Sequence, residues 1–117
     1  MDLNNAIQAH GEWKLKLRMA IQKSEKLDVP AISADNKCAL GQWLHGEAKM
    51  KFGALKSYGD CVQKHAAFHR EAAKVGSAIN SGDMKTASAA LENGTPYTNA
   101  SSAVAVAILA LKKEASL

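Results

Sequence analysis

The chain has 117 residues, 47% of them hydrophobic and 22% charged, with 15 Lys and Arg against 11 Asp and Glu for a formal charge of +4. That length accommodates one domain and excludes a multidomain enzyme, and the apolar share excludes a disordered chain. Only 5% of residues are aromatic and β-branched residues are scarce, so strands have little to be built from and the composition predicts an all-α domain spanning residues 1–117. Lys14, Lys16, Arg18, Lys23 and Lys26 cluster on the first segment, but without interleaved aromatics or a nucleic-acid motif they read as a solvated face, and no nucleic-acid partner is expected. No run reaches the ~18 apolar residues a membrane span needs, and the start lacks a basic segment followed by an apolar one. The expectation is a cytoplasmic protein without membrane insertion.

In chain order, the first helix is predicted from about Asp2 to Lys26, because Leu3, Ala6, Ile7, His10, Trp13, Leu17, Ala20 and Ile21 recur at three- and four-residue intervals. Asp28-Val29-Pro30 is expected to break it and to open a polar connection ending at Asp35-Asn36, either of which can cap the next helix. That helix, short and running from about Lys37 to His45, carries Cys38, Leu40, Gly41, Trp43 and Leu44, and Gly46 stops it. Residues 47–57 read as a partly helical crossover. A long helix from about Tyr58 to Asn80 shows one apolar face containing Cys61, His65, Phe68, His69, Val75, Gly76 and Ile79. A short helix begins near Met84, and a last one has Thr95 as cap and Pro96 at the first helical position. Four principal helices with short connections predict a four-helix bundle, with a short extra helix carrying the cysteine.

The chemistry concentrates on that bundle's inner faces. His65 and His69 stand four apart on one helix, so both imidazoles project from the same face within reach of one ion. His10 interrupts the apolar stripe of another helix in the same way. Three inward imidazoles in a small domain are costly unless one partner satisfies them together, although each bonded singly to a carbonyl is the bland alternative. Cys38 supplies a fourth group. Three imidazoles and a thiolate form a closed tetrahedral set suited to zinc and ill suited to magnesium or calcium. A full set argues against a hydrolytic site, which keeps one position for water, and no H-E-x-x-H is present. His45 at a helix end reads as a partner of the helix dipole, and two cysteines are too few for a disulfide framework, so Cys61 reads as a small buried hydrophobe.

Three segments, His10-Gly11-Glu12-Trp13-Lys14, Cys38-Ala39-Leu40-Gly41-Gln42-Trp43-Leu44 and His65-Ala66-Ala67-Phe68-His69, resemble the successive motifs of the chemoreceptor zinc-binding (CZB) domain. The resemblance implies a four-helix bundle holding zinc through His10, Cys38, His65 and His69. It also implies a non-enzymatic sensor of zinc or hypochlorous acid, commonly a homodimer, working beside a chemoreceptor signalling module or a diguanylate cyclase in chemotaxis or related signal transduction. The chain contains neither a cyclase segment nor a receptor coiled coil. Trp13 and Trp43 are expected to shield the metal, and Gly41 to allow a close backbone approach. Cys38 is expected to be the redox-sensitive group, because a metal-bound cysteine is held as the thiolate that oxidants attack. The competing readings are a purely structural zinc bundle that mediates association and a hydrolase in which one of the four groups stays off the metal.

Overall fold

A computed structural model describes all 117 residues, as seven helices and no strand. Helix α1, Leu3–Lys23, starts where the Asp2 carboxylate accepts the N–H groups of Asn4 and Asn5, at 3.0 and 3.2 Å. It ends three residues before the predicted limit, because Ser24 turns into the left-handed region (φ 52°) and Lys26 and Leu27 are drawn away to bond Asn80, at the end of the longest helix. Pro30 does not open a featureless connection. It sits in the first turn of a five-residue helix α2, Val29–Ser33, where its missing N–H costs nothing, and Asp28 caps that turn through the Ala31 N–H.

Helix α3, Ala39–His45, is shorter than predicted at its start. Neither Asp35 nor Asn36 caps it: Cys38 does, with its sulfur accepting the Gly41 N–H at 3.3 Å. The cysteine therefore stands at the head of the short helix rather than within it. Helix α4, Glu47–Phe52, fills the crossover, and α5, Lys56–Asn80, is the longest element. Leu55 cannot cap α5 with its side chain; instead Glu114, from the far end of the chain, accepts both the N–H and the hydroxyl of Ser57. Helix α6, Met84–Ala90, is capped by Asp83, and α7, Pro96–Glu114, opens with a reciprocal pair between Thr95 and Thr98.

These helices form one bundle. α5 runs along α7, α1 lies against both, and α6 closes the remaining side, while α2, α3 and α4 pack outside α5. The core holds Leu3, Leu17, Leu40, Leu44, Phe68, Leu91, Val104, Ile108 and Leu111, all at least 97% buried. No helix is long and apolar enough to cross a membrane. Three polar side chains are buried in this apolar setting: His10, His65 and His69.

Candidate metal centre

The three histidines reach one point from two helices because each occupies an inward position of an amphipathic stripe: His10 on α1, and His65 and His69 one turn apart on α5. Cys38 comes from the connection between α2 and α3, and is held near α5 by two local restraints. Its sulfur caps α3, and Gly41 lets α3 approach the preceding loop, since a Cβ at Gly41 would fall 1.7 Å from the Asp35 carbonyl oxygen.

Four donor atoms lie within 4.8 Å of one another: one ring nitrogen from each histidine and the cysteine sulfur. Nε2 of His65 is 3.1 Å from Nε2 of His10 and 3.0 Å from Nε2 of His69, and Sγ of Cys38 is 3.2 and 3.6 Å from Nε2 of His65 and His69. A zinc tetrahedron with ordinary bond lengths has N···N edges of about 3.3 Å and S···N edges of about 3.6 Å, so the group has the required size.

The outer nitrogens decide which atoms face inward. Nδ1 of His10 lies 2.7 Å from the Ala6 carbonyl oxygen, and Nδ1 of His69 lies 2.9 Å from that of Ile32. A carbonyl only accepts, so each Nδ1 carries the proton and each Nε2 presents a lone pair to the centre. The lone pairs of His10 and His69 both point at His65 Nε2 and the Cys38 sulfur, and one cation placed between them satisfies the whole group. Burial also disfavours charge on the rings: burial first, then the neighbouring imidazoles, pushes His65 down to about 3, and burial likewise lowers His10. Nδ1 of His65 is buried without a partner.

The surroundings are unequal on the two sides. Phe68 is fully buried with its ring 5.3 Å from that of His10 and 5.7 Å from that of His69, both edge-on, so it walls the centre with apolar surface. A cavity of about 560 Å³ between α1 and α2, lined by Trp13, reaches Cys38 and His69. A second, of about 270 Å³ beside the start of α1, reaches Cys38 and His10. Trp43 is half-buried and packs against Phe52 of α4, ring centroids 6.1 Å apart. His45 stays outside the cluster, its Nε2 3.1 Å from the Asp35 carboxylate, and Cys61 is fully buried in the core. The two carbonyl acceptors, Ala6 and Ile32, escape sequence reasoning, since a backbone oxygen leaves no mark on residue type. Phe68 shows in the sequence only as one member of an apolar stripe.

The sequence pattern of the family described as the chemoreceptor zinc-binding domain matches residues 10–75, more than half of the chain and all four converging side chains. No curated protein and no solved structure matches the chain. The donor set is one that zinc takes in preference to harder cations, and Zn2+ is the domain's cofactor. The chain belongs to the chemoreceptor zinc-binding domain family.

Proposed function

We propose that this domain is a non-enzymatic sensory module in which His10, Cys38, His65 and His69 hold one zinc ion. The observation that carries this reading is the pair of carbonyl bonds at His10 and His69, which turn two lone pairs onto the point that His65 and Cys38 also face. Four donors fill a tetrahedron, and the cluster contains no carboxylate to serve as a base, so the arrangement supports a closed site rather than a hydrolytic one. Trp13, which lines the cavity reaching Cys38 and His69, shields the cysteine side, whereas Trp43 packs against Phe52 and lines neither cavity.

The input is zinc itself or an oxidant that attacks the zinc-bound sulfur. Cys38 is half-buried where the histidines are buried, and it alone among the four lines both cavities. With hypochlorous acid, the thiolate takes the chlorine and hydroxide leaves; water then displaces chloride from sulfur and loses a proton, leaving a sulfenic acid, so that two electrons pass from sulfur to chlorine. Oxidised Cys38 would no longer supply a bound zinc with its only anionic ligand, and its release would free the segment from Asp35 to Gly46. The output is a chemoreceptor or diguanylate cyclase module, with the domain acting as a homodimer in the cytoplasm.

Metal analysis with X-ray absorption tests the site. The wild type binds one zinc per chain, with sulfur at about 2.3 Å and nitrogens at about 2.0–2.1 Å, and Cys38→Ser loses the sulfur scatterer. Water in place of any of the four donors would move the reading toward catalysis. Stoichiometric hypochlorous acid is expected to modify Cys38 before Cys61 and to raise amide exchange chiefly between Asp35 and Gly46. Preferential oxidation of Cys61 would leave zinc sensing or a structural zinc bundle standing.

A further inference from the structure

Between α1 and α3, residues 25–37 form a strap laid over the C-terminal half of α5. Four features of α5 that face this strap or the centre fall at His65, His69, Gly76 and Asn80, spacings of four, seven and four residues that keep them on one side of the helix. Toward one end of the strap the Ile32 carbonyl accepts the hydrogen bond from His69 Nδ1–H, and Cys38 stands six residues later. In the middle, the side chains of Leu27, Val29 and Ile32 lie over Gly76, each within 3.7 Å of where a Cβ would stand. At the other end Asn80 grips the main chain of Leu27 twice: its Oδ1 accepts the Leu27 N–H and its Nδ2 donates to the Leu27 carbonyl, both at 2.8 Å. Lys26 adds a bond from its Nζ to the Asn80 carbonyl.

We infer that Asn80, about 16 Å along α5 from His69, is a positioning residue for the metal centre, fixing the register of the strap that delivers both the Ile32 carbonyl to His69 and Cys38 to the metal. The inference rests on the reading of the cluster as a zinc site. Asn80 lies beyond residues 10–75 and touches none of the four donors. An asparagine amide is suited to this role, because it satisfies one donor and one acceptor of the same residue at once and so fixes position along the chain as well as contact. Without it the strap can slide over the smooth Gly76 face, and the His69 ring loses the acceptor that holds its tautomer and orientation.

The effect must run in both directions. If a fixed strap favours metal binding, bound metal must favour the fixed strap by the same factor. Two measurements on the full chain test this. Zinc affinity by chelator competition, with the visible spectrum of the cobalt-substituted protein, is compared for the wild type, Asn80→Ala and Ile108→Val. Ile108 is a fully buried α7 residue, and its substitution supplies a comparable loss of stability away from the strap. Asn80→Ala is expected to bind zinc about tenfold more weakly and to show altered cobalt bands, while Ile108→Val keeps the wild-type affinity and spectrum. Unchanged affinity and bands in Asn80→Ala, or an equal loss in Ile108→Val, would overturn the inference. Should Asn80→Ala not fold, exchange of the Leu27 amide in the wild type decides: zinc slows it more than it slows the amide of Ile108 in α7 if the strap is coupled to the metal, and an equal or smaller slowing overturns the coupling. A wild type that takes up neither zinc nor cobalt defeats the zinc reading itself, an outcome separate from normal uptake with an indifferent Asn80.

Discussion

Cys61 and Cys38 are the two thiols of the chain, and their surroundings differ completely. Cys61 is fully buried one turn before His65, and burial, with the Asp60 carboxylate nearby, pushes its thiol from 9.0 up to about 11. The folded state thus holds the Cys61 proton more tightly than the unfolded state does. Its contribution is fully present below pH 9 and is lost as pH rises toward 11, by up to about 2–3 kcal/mol. Tyr97, pushed by burial from 10.0 to about 12, adds its own loss only above pH 10. Tyr58 is also raised, by burial and then by the neighbouring Cys61, so the variant rather than the pH window assigns the effect: in urea titrations between pH 9 and 10, Cys61→Ala is expected to flatten the slope, and an unchanged slope would show that the buried thiol is not its source. Among the donors, His65 and His69 are set in place by one helix whereas Cys38 is brought by a connection. Alanine at His65 or His69 is expected to reduce zinc affinity more than alanine at Cys38, as read by chelator competition, and equal losses would remove that ordering.

Two glycines show how differently neighbouring elements are restrained. At Gly41 of α3, an added Cβ would meet the Asp35 carbonyl oxygen at 1.7 Å, a backbone atom that yields only if the whole loop shifts. Gly41→Ala is expected to destabilise the domain by more than about 2 kcal/mol and to weaken zinc binding, because the displaced loop carries Cys38. At Gly76 of α5 the nearest atoms are ends of Ile32, Val29 and Leu27 side chains at 3.5–3.7 Å, ordinary contact distances. Gly76→Ala is expected to be tolerated or to gain up to about 1 kcal/mol from helix propensity. Thermal melts of the metal-free variants check both signs, and a stable Gly41→Ala would mean that the loop before α3 is freer than its packing indicates.

At the scale of the molecule, the centre ties α1, the strap and α5 together across 60 residues of sequence. Without a cation a proton on His65 Nε2 can bridge to only one neighbouring imidazole at a time, whereas a metal ion satisfies all three rings and the Cys38 sulfur together. Free zinc at a thousand times its dissociation constant adds about 4 kcal/mol, which for a chain of this size raises the melting temperature by roughly 15 °C. Calorimetry with and without a chelator measures this directly. A melting temperature indifferent to zinc would mean that the helices pack equally well around an empty centre, leaving metal loading no means of changing the bundle.

Helical class and the positions of α1, α5 and α7 were determined by the sequence alone, because apolar residues at helical spacing can be buried in only one way and the Thr95 cap with Pro96 at the first helical position is local chemistry. The four converging side chains could also be named from it, since inward-facing histidines in so small a core demand a shared partner. The tertiary structure decided what depends on partners distant in the chain. The first helix stops at Lys23 rather than Lys26 because Asn80, more than fifty residues on, binds Leu27, and α5 begins at Lys56 because Glu114 caps it. Cys38 became a cap rather than a helical residue through the close approach that Gly41 allows. The tautomers of His10 and His69 were set by backbone carbonyls, which every residue type carries alike and which only the folded chain brings to a particular ring.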